Sequence, residues 1–240
     1  MRTLVIDIET VGEQWSDIDA VTKDVLTRWI TRTAKNDAEK RMAIRDLEEG
    51  LGFSPLTGEI VAIGLFDLEH QQGAVYYQAN GTEREEEIGA YVLKPRSEAD
   101  MLLDFWEGAQ GYDTFVTFNG RRFDVPFLNI RSMVHGIRPT QHLMQHRYLE
   151  RQGDIKHIDL QDQLTFYGAM LRKPSLHLYC RAMGIESSKE KGIAGDDVGR
   201  LFTEKKFRDI AVYNADDVTA TAELYEQWLD TLAPELFDTS

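Results

Sequence analysis

The chain has 240 residues, 42% hydrophobic and 28% charged, the composition of an ordinary globular protein with the length of one large domain. No apolar run approaches the roughly 18 residues of a membrane span and no signal pattern precedes the first strand, so no membrane partner is expected. The net charge of −14 argues against a general nucleic-acid coat, which needs a basic face, and the single cysteine, Cys180, excludes an internal disulfide framework and fits a reducing, cytoplasmic setting.

Residues 2–8 are apolar and β-branched and predict a buried strand. From about 16 to 50 the chain is highly charged. Ile18, Val21, Val25 and Trp29, then Met42, Ile44 and Leu47, recur there at helical spacing, so one or two helices are expected as an insertion after the first strand. Pro55 and Gly58 mark a turn. Residues 59–66 read as a second strand and 73–79 as its hairpin partner. Within 81–93 the run 83–87 reads as a solvated helix start, whereas 88–93 also fits a strand. Ser97 followed by Asp100 resembles a capping box, and Met101, Leu102, Phe105 and Trp106 then give an amphipathic helix. Residues 114–118 form a buried strand and 127–134 a helix, with Pro126 in its first turn and Gly136 as its stop. Helical patterns follow at about 159–167, 175–183 and 196–202. A last helix, about 204–232, carries Phe207, Ile210, Ala211, Asn214, Val218, Thr221, Ala222 and Tyr225 on its inner face. Without repeats or linkers, this order predicts one α/β domain over 1–240 with a central mixed β-sheet flanked by α-helices.

Four acidic positions stand out. Asp7 and Glu9 lie two apart on the first strand and point to one face. Such pairs are common on surface strands, but Leu4, Val5, Ile6 and Ile8 surround this one. Two anions about 4 Å apart repel by ~4 kcal/mol at an effective dielectric near 20, and a cation between them removes that cost. Asp124, in Asn119-Gly120-Arg121-Arg122-Phe123-Asp124-Val125-Pro126, follows a strand and opens a helix, which exposes it at the end of the sheet where open α/β sheets bind ligands. The same position suits a helix cap. Tyr213 and Asp217 are four apart on the last helix and share a face, although the spacing does not exclude Asp216. Four carboxylates gathered with no organic cation call for metal, and a carboxylate-held pair of divalent ions is an apparatus for cutting phosphodiesters.

In order and context the three motifs resemble the DEDD superfamily of 3′–5′ exonucleases in its tyrosine form. The nearest resemblance is to the exonuclease domain of family-B DNA polymerases and its stand-alone predicted-exonuclease relatives. Asp7-Ile8-Glu9-Thr10 is similar to their first motif, the stretch Asn119 to Pro126 to the second, and Tyr213-Asn214-Ala215-Asp216-Asp217 to the third. The resemblance selects Asp217 over Asp216, and Val212 stands where the histidine form needs His. His157-Ile158-Asp159-Leu160 is also similar to these relatives. A ribonuclease-H-like fold is implied, with Asp7, Glu9, Asp124 and Asp217 as ligands of two Mg²⁺ or Mn²⁺ ions about 3.5–4 Å apart. Tyr213 joins them as a catalytic residue that orients the attacking water, because a phenol with a pKa near 10 is a poor base at neutral pH. Asn119 and Phe123 are implied to lie near the 3′-terminal nucleotides and Thr10 near the end of the strand. The implied activity is metal-dependent hydrolysis of phosphodiesters at the 3′ end of single-stranded nucleic acid, with DNA favoured, releasing nucleoside 5′-monophosphates. An RNA-trimming exonuclease and a non-catalytic nucleic-acid-binding module on the same fold are the alternatives. The insertion at about 16–50 falls outside the resemblance, and no polymerase module accompanies these residues, so proofreading in cis is not implied.

Six arginines (121, 122, 131, 138, 147 and 151) face only Asp124 and Glu150 within 119–151, a local excess of positive charge beside a candidate catalytic acid. Arg121 and Arg122 suit backbone phosphates or a solvated loop. His142 and His146 are spaced i, i+4 but have no evident third ligand for a transition metal. His157 and Asp159 either support the site from behind or open a helix. The acidic remainder hints at a partner protein that recruits substrate.

Overall fold

Alternation along the first strand sorts the interior into two layers. The computed structural model describes residues 2–188, 192 and 195–233. Strand β1 (Thr3–Gly12) sends Leu4, Ile6 and Ile8 into one apolar layer and Val5 and Val11 into the other. Asp7 and Glu9 share the parity of Val5 and therefore face the second layer. After β1 come helices α1 (Ala20–Thr33) and α2 (Asp37–Glu49), then β2 (Gly58–Asp67), β3 (Gln72–Tyr77), β4 (Glu86–Ile88) and β5 (Tyr91–Pro95). Helix α3 (Glu98–Ala109), β6 (Thr114–Thr117), α4 (Asp124–Val134) and β7 (Lys156–Asp159) follow, and then α5 (Leu160–Leu164), α6 (Leu176–Met183), α7 (Val198–Thr203) and α8 (Phe207–Thr231).

The strands form one mixed sheet in the order β4-β5-β3-β2-β1-β6-β7, in which only β2 and β4 run against the rest. Helices α3 and α4 cover the Leu4–Ile6–Ile8 face through Met101, Phe105, Trp106, Phe127 and Leu128. Helix α8 crosses the other face over β1, β2 and β3. All eight residues expected on its inner face are buried. The expected α/β class, mixed sheet and hairpin of β2 with β3 are present.

The charged segment between β1 and β2 contains two helices, capped by Asp19, which accepts from the Val21 and Thr22 amides, and by Asn36, which accepts from the Glu39 amide. Ile18 and Ile30 are buried, while Val21, Val25 and Trp29 face outward. Ser97 caps α3 as its sequence suggests, accepting from the Asp100 amide.

Two expectations are corrected. Residues 83–87 do not start a helix. Glu86 lies in β4, which turns at Gly89 (φ +58°) into β5 and is tied to α8 by Arg208, whose Nε and Nη2 each donate to Glu86 at 2.8 Å. The helix expected at about 159–167 is present but covers only 160–164, and it is preceded by an unexpected strand, residues 156–159, that pairs in parallel with β6. Both strands are short and exist only through pairing, β4 in a hairpin with β5 and β7 with the earlier strand β6, which local periodicity does not encode.

Two positions fix the layers. Glu98 is 5% exposed and accepts from Arg131 Nε (2.8 Å) and Nη2 (2.7 Å) and from the Ile60 amide (2.8 Å), with His135 Nε2 at 2.6 Å. Burial opposes its ionisation, but the bonds from Arg131, His135 and the Ile60 amide outweigh burial and hold its pKa below the usual value. Gly64 pairs with Asp7 in the β1–β2 register, and a Cβ there would collide with the Asn214 side chain and lie 2.7 Å from Val218 Cγ2. The missing side chain is what lets α8 settle on the sheet opposite Asp7.

Glu98→Gln is expected to cost about 3 kcal/mol in urea unfolding at pH 7, because it leaves half-buried Arg131 without its charge partner. Since folding depresses the Glu98 pKa, its contribution is present above the unfolded value of 4.5 and fades as pH falls through the folded value. The difference between wild type and variant therefore shrinks in acid, and equal midpoints at pH 7 contradict this account. Gly64→Ala is expected to lose roughly 1–3 kcal/mol by overpacking, read from the same titration. An unchanged midpoint would show that α8 does not need that close approach.

Candidate active site

Strand β1 and helix α8 together bring three acids to one point. Ligand oxygens of Asp7, Glu9 and Asp217 all lie within 4.8 Å of one another. Asp7 and Glu9 arrive there because side chains two apart on a strand share a face, and the ladder with β2 shifts register directly after Glu9. Asp217 arrives because α8 packs on that face. Buried Asn214, three residues earlier on α8, donates from Nδ2 to Asp7 Oδ2 at 2.8 Å, and Ser188 Oγ donates to Asp217 Oδ1 at 2.5 Å. Asp216 is not in this group. Its charge acts on Tyr91 of β5.

The fourth acid, Asp124, is buried in the first turn of α4, and its Oδ1 accepts the Ile8 amide at 3.1 Å. It is thereby bound to the backbone between Asp7 and Glu9. The N-terminal cap of α4 falls on Phe123 and uses no side-chain hydrogen bond. Asp124 lies outside the 4.8 Å group but close enough for its charge to act on Asp7 and Glu9.

Burial is the first cause of the high pKa values in this cluster, and mutual repulsion the second. Asp7 is held well above the ordinary carboxylate value by desolvation and by Asp124, Glu9 and Asp217, against the hydrogen bond from Asn214. Glu9 is raised by desolvation and by Asp217 and Asp124. Asp124 is pushed up to about 7 by burial and by the charge of Asp159, with its own backbone amide and then the Ile8 amide opposing. Such a set wants protons or a cation, and donors that are all carboxylate oxygens fit a hard divalent ion such as Mg²⁺ or Mn²⁺. Tyr213 is 5% exposed on the same helix, and burial, then Asp217 and Glu9, raise its phenol far above its ordinary pKa. It stays protonated, its hydroxyl is hydrogen-bonded to Asp217, and the same O–H can rotate to donate to an attacking oxygen or a phosphate.

The loop between β6 and α4 is shaped from behind. Asp159, at the end of β7, accepts the Asn119 amide at 2.9 Å and the Arg121 amide at 3.0 Å, and also caps α5 through the Gln161 amide at 3.0 Å. This bracket holds Asn119 at φ +65°. A Cβ on Gly120 would collide with Thr117, whose hydroxyl donates to His157 Nε2 at 2.9 Å while His157 Nδ1 donates to the Leu143 carbonyl at 2.9 Å. Burial lowers the His157 pKa to about 4, so the ring is neutral and serves as a brace.

Phe123 stands half-buried between Phe53 and Phe127, with ring centroids 6.4 and 5.0 Å away. The Thr10 hydroxyl donates to the Gly52 carbonyl at 2.7 Å, which clips residues 51–53 onto the end of β1. Beside Thr10 a cleft of about 960 Å³ runs between residues 10–15, the end of α2 and α7. Much of the expected positive charge is spent internally. Arg131 binds Glu98, Arg147 binds Asp162, and half-buried Arg121 donates to the Gln145 carbonyl at 2.6 Å. Arg122, Arg138 and Arg151 remain exposed. His142 and His146 join no potential metal-binding group among the described residues, and Cys180 is buried. Gly64, Asn214 and Ser188 escape sequence reasoning as site residues. The signal for Asn214 was a polar amide on the inner stripe of an otherwise apolar helix.

No described helix is long and apolar enough to cross a membrane. A family model described as "Predicted 3'-5' exonuclease related to the exonuclease domain of PolB" matches residues 58–232. The matched region holds Asp124, Tyr213 and Asp217, while Asp7 and Glu9 precede it and join it through the Asp7–Asn214 bond. No curated protein matches the sequence. Among solved structures the chain is similar to the family B DNA polymerase from the hyperthermophilic archaeon Pyrobaculum calidifontis, with 17% identity and a TM-score of 0.58 over 95% of this chain and 24% of that one. The chain therefore spans about a quarter of that polymerase, and at this identity the likeness shows the fold, a ribonuclease-H-like mixed sheet flanked by helices. The family match extends over more than half of the sequence, and the chain belongs to the family of predicted 3′–5′ exonucleases related to the exonuclease domain of PolB.

Proposed function

We propose that the protein is a metal-dependent exonuclease that removes nucleotides from the 3′ end of single-stranded nucleic acid, with DNA favoured, and releases nucleoside 5′-monophosphates. The observation that carries this reading is the convergence of Asp7, Glu9 and Asp217 from opposite ends of the chain to within 4.8 Å. Asp7, Glu9, Asp124 and Asp217 would hold two Mg²⁺ or Mn²⁺ ions. Bound there, such ions supply charge stabilisation at the phosphodiester and a more acidic water.

The rest of the work falls to the chain's own groups. Asn214 keeps one oxygen of Asp7 engaged and so limits the directions in which that carboxylate can turn. Asp124, held by the Ile8 amide, fixes the loop after β6 against β1. Protonated Tyr213, beside Asp217, donates a hydrogen bond that aligns the attacking water with the terminal phosphorus. Thr10, Asn119 and Phe123 line the approach of the 3′-terminal nucleotides. Phe123 offers a ring face to a base, Asn119 an amide, and Thr10, with its hydroxyl bound to Gly52, a fixed wall. Preference for DNA is supported by the polymerase-like second motif. The whole of 1–240 acts as one exonuclease domain, with α1 and α2 as its insertion, and works in the cytoplasm. The net charge of −14 favours a partner protein that delivers substrate.

Single-stranded DNA and RNA labelled at the 5′ end, incubated with Mg²⁺ or Mn²⁺, are expected to give ladders of shortened labelled products that EDTA abolishes. Immediate release of a labelled mononucleotide would mean the opposite polarity. Asp217→Asn is expected to abolish hydrolysis with an unchanged circular-dichroism spectrum. It also removes the metal-induced rise in melting temperature, which in wild type corresponds to about 2.7 kcal/mol at a hundredfold excess over Kd. Full activity in this variant rules out the mechanism. Tyr213→Phe is expected to slow hydrolysis roughly 100-fold, as for loss of one aligned donor, while the thermal response to metal persists.

A further inference from the structure

Phe166, Tyr167 and Gly168 follow α5 with consecutive φ values of +51°, +56° and +95°. Left-handed backbone is disfavoured for bulky side chains, and residues held there cluster at ligand-binding surfaces. This turn leaves Phe166 61% exposed. Tyr167 packs on Tyr148 with ring centroids 4.7 Å apart, and Tyr148 is itself 42% exposed. Arg147 lies 5.8 Å from the Tyr167 ring centre and Arg151 5.8 Å from that of Tyr148. Arg147 is pinned by Asp162 (Nε to Oδ2, 2.7 Å), but exposed Arg151, Arg172 and Lys173 have no carboxylate partner among the described residues.

Exposed rings with Arg151 beside Tyr148, and with Arg172 and Lys173 a few residues after Phe166 in the chain, run against the trend of a chain with a net charge of −14. The segments that carry these residues are also tied by hydrogen bonds to the loop beside the candidate active site. Asp159 brackets the loop that carries Asn119 and Arg121 and caps α5, and Arg121 reaches the Gln145 carbonyl, two residues before Arg147.

We propose that this patch is a platform for single-stranded nucleic acid. Bases upstream of the 3′ end stack on Phe166 and Tyr148, and backbone phosphates meet Arg151, Arg172 and Lys173. Stacking on aromatic faces is indifferent to base identity, and cations at the rim track the backbone, which is the chemistry of sequence-tolerant strand binding. The inference takes its ligand class from the proposed exonuclease reading.

The test measures fluorescence anisotropy of 5′-labelled 25-nucleotide single strands in EDTA, where binding is read without cleavage. Phe166→Ala combined with Tyr148→Ala is expected to raise Kd roughly tenfold. Arg172→Gln combined with Lys173→Gln changes only exposed side chains and is expected to flatten the plot of log affinity against log salt by about 0.7 per cation removed. If the aromatic pair fails to fold, the salt slope decides. Absence of strand binding by the wild type, or an unchanged Kd and slope in the variants, overturns the platform. Failure of the exonuclease reading shows separately, as wild-type protein that cleaves no strand in Mn²⁺ while the platform variants still lose binding.

Discussion

Carboxylates held closer than their charges favour are the constraint on which the rest of the structure depends. Asp7, Glu9 and Asp217 repel one another in a buried setting, and nothing in the cluster itself holds them together. Packing does so. Helix α8 buries Ile210, Ala211, Val218, Ala222 and Tyr225 against the sheet, and the apolar area removed from water there sets the position of Asp217. Gly64 admits Asn214 to the sheet, and Asn214 engages Asp7. The folding energy of one helix face is thus converted into an electrostatic demand for protons or a cation.

The other side of the site follows the same logic with polar groups. Asp159 uses one carboxylate to bracket two backbone amides of the loop after β6 and to cap α5. His157, two residues earlier on β7, is neutral and braces Thr117 against the Leu143 carbonyl. Neither residue has to touch substrate to matter. Both sit on a strand four residues long, so the loop carrying Asn119, Phe123 and Asp124 inherits the rigidity of the sheet.

Net charge and local charge are separate properties of this chain. An acidic total of −14 coexists with exposed rings and cations around and after α5, while two arginines that look promising in the sequence, Arg131 and Arg147, neutralise buried acids instead. Arg131 is part of the core that joins α3 to α4 through Glu98. Electrostatic reading of the composition therefore identifies the wrong cations until burial separates structural ion pairs from exposed ones.

Much of the fold and the candidate site was legible before any coordinate. Alternation placed Asp7 and Glu9 on one face of β1, the 3.6-residue period placed Tyr213, Asn214 and Asp217 on one face of α8, and the Ser97 cap and the β2–β3 hairpin followed from local chemistry. These features concern residues a few positions apart, whose geometry the backbone period fixes. Tertiary structure alone decided that the Thr10 hydroxyl is consumed by Gly52, that Val21, Val25 and Trp29 face outward, and that residues 86–88 and 156–159 are strands. Each of those outcomes depends on what packs or pairs opposite in space, and no periodicity in the sequence carries that information.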